Sequence, residues 1–164
     1  MIKTHQGVLP REVLHQFPLR SPPTTHGYAE WIPNFAGLEH VLGVAGLLDP
    51  DFHEVGEHVF WSRGVAEGFE RVGVVGTRFG NDPVTVERYS NIVNLEEFFL
   101  AAADEAVDSD ELLAWFAVVL ERFWQRALRA HFPERRYLFE VTRNLYDEEG
   151  LCLTFWQDRS IESA

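Results

Sequence analysis

The densest group of side chains able to bind a metal or move a proton is Asp51, His53, Glu54, Glu57 and His58. Imidazole nitrogens and carboxylate oxygens at short spacing are the donor set of zinc sites. Two known spacings would turn this group into one, and neither is met. A zincin helix beginning at His53 needs its second histidine at position 57, where Glu57 stands. The inverted arrangement leaves two residues between its first histidine and the glutamate, whereas three separate His53 from Glu57. Gly56-Glu57 is also the glycine-first pair of a type II′ hairpin, so Phe52-His53-Glu54-Val55 and His58-Val59-Phe60-Trp61 read as paired strands. In that register Val55 faces His58 and His53 faces Phe60, which puts both histidines on one side and Glu54 on the other. A third ligand is missing, and no metal or other cofactor is expected.

Phosphate chemistry fails on similar grounds. Gly73-Val74-Val75-Gly76-Thr77-Arg78-Phe79-Gly80 is followed by Asn81-Asp82, where a phosphate-cradling loop needs a lysine and then serine or threonine. Asp82 would repel the phosphate, and the glycine spacing does not fit a dinucleotide-binding turn. Nucleophilic catalysis has no local signature either: there is no Gly-x-Ser-x-Gly, and neither Cys152 nor any serine lies in a recognisable motif with a histidine. No catalytic residue is assigned.

Charge placement carries more information. Between Tyr89 and Glu121 stand Glu96, Glu97, Asp104, Glu105, Asp108, Asp110, Glu111 and Glu121 without a single Lys, Arg or His. Arg122, Arg126, Arg129, Arg135, Arg136 and Arg143 follow at once. Acids at helix starts and arginines in the last turns complement the helix dipole, which accounts for part of this order. Geometry suggests more, because at about 100° per residue Arg122, Arg126 and Arg129 form one narrow stripe with Trp115 and Val118 in the same sector. Arginine beside tryptophan on a surface is the composition of an interface hot spot. The acids Glu96, Glu97, Asp104 and Glu105 offer a second candidate face, one that would steer a basic protein partner.

The elements that must carry these side chains follow from periodicity. Leu38, Val41, Leu42, Ala45 and Leu48 recur at helical spacing until Asp49-Pro50 stops them. Asp82-Pro83 has the form of an N-cap with proline at the first helical position, and Val86, Tyr89 and Val93 follow on one face. Asn94 with Glu97, and Asp108 with Glu111, resemble capping pairs that each open a helix. The second helix runs over about 109–130, with Leu112, Phe116, Val119, Phe123 and Ala127 on one stripe and Leu113, Leu120, Trp124 and Leu128 widening it. Tyr137 to Leu145 and Leu151 to Trp156, on either side of Asp147-Glu148-Glu149-Gly150, predict a terminal hairpin. Residues 64–80 are too rich in glycine to assign. Hairpins over about 52–61 and 137–156 with helices between them, and no βαβ rhythm, give an α+β class: an antiparallel sheet covered on one face by helices around a long central one.

Bulk properties frame the rest. At 164 residues, with 46% hydrophobic and 13% aromatic content, the chain needs no disulfide or metal staple to build a core. Residues 1–30, holding Pro10, Pro18, Pro22 and Pro23, read as an extended arm, and 31–164 as one domain. The lone Cys152, between Leu151 and Leu153, reads as a buried thiol in a reducing compartment, and no apolar run reaches the length of a membrane span, so a cytoplasmic location is expected. A net charge of −12 disfavours nucleic acid and anionic lipid and favours a basic protein. The expected function is protein–protein interaction of the immunity, antitoxin or adaptor kind. The alternatives are a small-molecule-binding domain or small enzyme with a pocket lined by Phe60, Trp61, Trp124, Phe139 and Trp156, and a subunit of a larger complex with an apolar patch at Trp115.

Overall fold

In the computed structural model the described residues are 8–9, 12–13, 37–61, 76–99 and 105–160. The proline-containing arm lies almost wholly outside them, as do the glycine-rich residues up to 75. Helix α1 spans Leu38–Leu48, as the spacing predicts, and ends at Asp49, whose N–H donates to the Ala45 carbonyl. Strands β1 (Phe52–Val55) and β2 (His58–Trp61) follow in the predicted register, with His53 opposite Phe60 and Val55 opposite His58. Gly56 at φ +62° supplies the left-handed turn position that an L side chain avoids.

Helix α2 (Pro83–Ser90) begins as its sequence signals. The Asp82 carboxylate accepts from the Thr85 N–H at 2.9 Å, and the Thr85 hydroxyl, together with this N–H, holds its pKa below the usual aspartate value. Val93 does not continue that helix; it opens the two-residue strand β3 (Val93–Asn94). Asn94 therefore caps no α-helix. Its Oδ1 accepts from the Glu96 N–H and starts a single 3-10 turn, Glu96–Phe99. The long helix α3 spans Asp110–His131, and its cap is Ser109 rather than Asp108: Ser109 Oγ accepts from Leu112 N–H, while Asp108 closes a preceding 3-10 turn, Glu105–Asp108.

Strands β4 (Tyr137–Leu145) and β5 (Glu148–Gln157) are the last of the described elements. Their turn is tighter than the four residues 147–150 suggest. Leu145 pairs with Glu148, so Tyr146-Asp147 makes the turn, with Tyr146 at φ +55°. The acids 148 and 149 belong to β5, and the extra residue is absorbed where the register shifts between Arg143 and Leu145. There Gly150 sits at φ +92° and Asn144 at φ +57°. A Cβ at position 150 would come within 2.9 Å of Glu96 Oε2, a second reason for glycine.

The two hairpins are not hydrogen-bonded into one sheet. β1 and β2 form a two-stranded sheet, and the other is ordered β3-β5-β4, antiparallel throughout. α3 packs on the face of the larger sheet that carries Leu153 and Phe155, closing a core with Val59, Val93, Leu95, Leu113, Ala117, Leu120, Trp124 and Leu128. The most buried line of α3 is thus Leu113, Ala117, Leu120, Trp124, Ala127 and Leu128. Leu112, Phe116, Val119 and Phe123 flank it half-buried, with Phe116 against Phe98 and Phe99. The opposite sheet face is not bare either: the Thr154 hydroxyl donates to the Arg88 carbonyl of α2, and the Arg88 guanidinium lies over Trp156. Cys152, on that face, is fully buried, and burial pushes its thiol pKa up.

Candidate functional site

α3 buries one side of its circumference against the sheet, so its other side must face outward. Trp115 is half-buried there, Val118 is 43% exposed, and Arg122, Arg126 and Arg129 are exposed. Arg126 lies 5.8 Å over the Phe123 ring. Among the described residues no carboxylate comes within ion-pair distance of these three arginines. Of the other described arginines, five are paired and Arg136 is not: Arg78 pairs with Asp147, Arg88 with Glu140, Arg135 with Glu54, Arg143 with Asp110 and Arg159 with Glu87. The stripe therefore offers guanidinium forks, each with five donors, beside apolar surface.

The acidic candidates are placed differently. Glu96 points into the fold, where its Oε1 accepts from the Leu151 N–H at 3.3 Å and its carboxylate packs against Gly150. Glu97 is half-buried. Glu105 begins the 3-10 turn before α3, and Asp104 lies outside the described residues. Of these acids, Glu96 has an evident structural use as the group that steadies the bulged start of β5.

The histidine-rich hairpin turns its two faces to different neighbours. His53 and His58 share a side with Val55 and Phe60, which pack against Val86, Phe79 and Tyr89. Glu54 is on the other side, held by Arg135, and Glu57 approaches Arg159 at 3.9 Å. Among the described residues no group of three His, Cys, Asp or Glu side chains is arranged to hold a metal ion.

What the sequence did not reveal is a buried polar junction centred on Glu87. Its side chain is fully buried, and four donors converge on it: Val59 N–H (3.0 Å) and Arg159 Nη2 (3.0 Å) on Oε1, Gln157 N–H (2.7 Å) and Arg159 Nη1 (2.9 Å) on Oε2. One turn on, Asn91 accepts from Trp61 N–H at 2.9 Å and donates to the carbonyls of Val59 (2.9 Å) and Phe155 (3.2 Å). Two side chains of one helix thereby bond the edge of β2 and the edge of β5, joining sheets that share no backbone ladder. The carboxylate already holds four donors, with the Arg159 fork bidentate on it, which leaves it poorly placed to take a proton from a substrate. Its role is structural.

The chain matches no protein-family model, and no curated protein or solved structure matches it either. Chemistry must be read from the residues themselves. The aromatics that could have lined one pocket are divided: Trp61, Trp124 and Phe139 pack in the main core, Phe60 in the smaller cluster with Val86, and Trp156 beneath Arg88 on the opposite sheet face.

Near the start of β4, burial raises the Tyr137 pKa to about 12, against the opposing pull of the Arg135 guanidinium. The folded state holds this proton more tightly than the unfolded one, so the contribution to stability is intact below pH 10 and is lost as pH rises from 10 to about 12. Absorbance titration of the phenolates should show one tyrosine ionising near the upper end of that window. Tyr137→Phe should abolish that step and flatten the alkaline loss of stability.

Proposed function

We propose that this chain is a protein–protein interaction module of the immunity, antitoxin or adaptor kind, and that it docks through the outer face of α3. One observation carries the reading: Arg122, Arg126 and Arg129 are exposed and without an ion-pair partner among the described residues, on the stripe that also bears Trp115 and Val118. Arginine and tryptophan dominate binding energy at interfaces: the indole adds area at small entropic cost, and the guanidinium adds a planar fork of directed donors. The partner that fits is basic overall, drawn in by the −12 charge, and presents carboxylates beside an apolar recess where it meets the stripe. No helix among the described residues is long and apolar enough to cross a membrane. The buried thiol of Cys152 suits a reducing compartment, and the cytoplasm is the location we propose.

The test compares wild type with Trp115→Ala and with Arg122→Ala/Arg126→Ala/Arg129→Ala in quantitative affinity capture, followed by titration with the purified partner. Trp115→Ala leaves the net charge untouched, so it separates the docking face from the long-range field. Each variant is expected to weaken binding by about 2 kcal/mol or more, roughly thirtyfold. A partner that binds wild type and both variants equally would overturn the assignment of this face.

A further inference from the structure

β4 is an edge strand: in the order β3-β5-β4 one side bonds to β5, and among the described residues nothing hydrogen-bonds across its outer side. Edges of this kind are normally blunted by proline, lysine or a bulge that twists them away. The nine residues Tyr137–Leu145 contain neither proline nor lysine, and their one irregularity lies at the far end, between Arg143 and Leu145. The two charges on the strand are already balanced within the fold. Arg88 donates to Glu140 at 2.7 Å, and Arg143 pairs with Asp110. Apolar side chains stand on both faces beside the open edge, Leu138 at 45% exposed on the α2 side and Val141 at 39% on the α3 side.

An edge of alternating N–H and C=O groups is a template for another extended strand. We infer that this strand is β4 of a second copy of the chain, joined antiparallel so that the two three-stranded sheets become one of six strands. Side-chain pairing selects the occupant and its register. With the two-fold axis at Val141, the valines of the two copies face each other, Glu140 faces Thr142, Phe139 faces Arg143 and Leu138 faces Asn144, so no like charges meet. Moving the axis one residue, to Glu140, would set two carboxylates directly opposite, which is unfavourable. Two chains of −12 repel at long range. Self-pairing therefore tightens as salt is added, whereas docking of a basic protein weakens.

Sedimentation equilibrium of the full chain from micromolar to millimolar concentration, at low and high salt, tests this together with two variants at the exposed position 141. Expected is a concentration-dependent dimer favoured by salt. Val141→Lys places two ammonium groups on the axis and should raise the dissociation constant by roughly tenfold or more. Val141→Cys should cross-link on oxidation, because Cα atoms of directly facing residues, about 4.5–5.5 Å apart, lie within the range that a disulfide spans. Buried Cys152 should leave oxidised wild type uncross-linked. A chain that stays monomeric at millimolar concentration in high salt would overturn the inference. So would a dimer indifferent to Val141→Lys that Val141→Cys does not lock. Either result leaves the α3 docking face untouched.

Discussion

Replacing Glu87 with alanine is expected to lower the unfolding free energy by about 3–5 kcal/mol, the usual cost of removing one partner from a buried ion pair. Three groups lose an acceptor at once: the N–H of Val59, the N–H of Gln157 and the Arg159 guanidinium, whose side chain is only 15% exposed and which keeps its bond to the Glu57 carbonyl. Glutamine in place of Glu87 is no remedy, since in either orientation its NH₂ must face both a backbone N–H and the guanidinium, donor against donor. Removing both charges, as in Glu87→Leu/Arg159→Leu, should destabilise less than Glu87→Ala alone, because no guanidinium is then left buried without the carboxylate it forks onto. Urea denaturation of the four proteins measures the ordering. Amide exchange should accelerate first at Val59 and Gln157, where the junction grips the two sheets. If the double variant proved the least stable, the pair would be adding net stability rather than balancing its own desolvation.

Trp124→Ala should cost a comparable 3–5 kcal/mol, as truncation of a fully buried tryptophan usually does. The ring meets Phe52 at 6.0 Å, Trp61 at 5.2 Å and Phe155 at 6.2 Å, so its loss opens a cavity shared by both sheets. A distinct, smaller effect belongs to the indole N–H, which donates to the Leu47 carbonyl at 2.8 Å. Leu47 lies in the last turn of α1, where carbonyls lack helical partners. Trp124→Phe keeps most of the ring and removes that bond, so a loss of about 1–2 kcal/mol is expected. The loss should be concentrated in α1: the Asp49 amide, bonded to Ala45, should exchange faster while core amides of β5 change little. Calorimetry separates the two variants, and residue-resolved exchange tests whether Trp124 is the anchor of α1.

The features legible in the sequence are those set by neighbours a few residues apart. Gly56-Glu57 specifies a hairpin because glycine alone tolerates its first turn position, and Asp82-Pro83 starts a helix through a local cap. The stripe of Trp115, Arg122, Arg126 and Arg129 is equally local, being fixed by helical pitch. Glu87 and Asn91, by contrast, read as ordinary polar positions on a short helix. Their meaning depends on Gln157 and Phe155, which lie 70 and 64 residues away. Glu96 misleads for the same reason: in sequence it belongs to an acidic run, but its oxygen serves Leu151. The terminal turn differs from the expected one because Tyr146 takes a left-handed conformation that its residue type does not advertise, so in sequence Asp147-Glu148-Glu149-Gly150 looks like the better turn. Helix α3 is set in the right place, but the centre of its buried sector shifts toward Trp124, since which flank meets a sheet is decided by that sheet.

β5 is the middle strand of its sheet, yet every other described element is translated before it. While a ribosome is still making residues 148–159, α3 can meet β1 and β2 but lacks Leu153 and Phe155 of the larger sheet, and Glu87 waits for the amide of Gln157 and the side chain of Arg159. Such long-range closure is slow compared with the formation of a helix or a hairpin. The nascent chain must therefore carry much of its apolar surface uncovered until β5 emerges, which makes the interval before that strand appears the period of greatest exposure to chaperones and proteases.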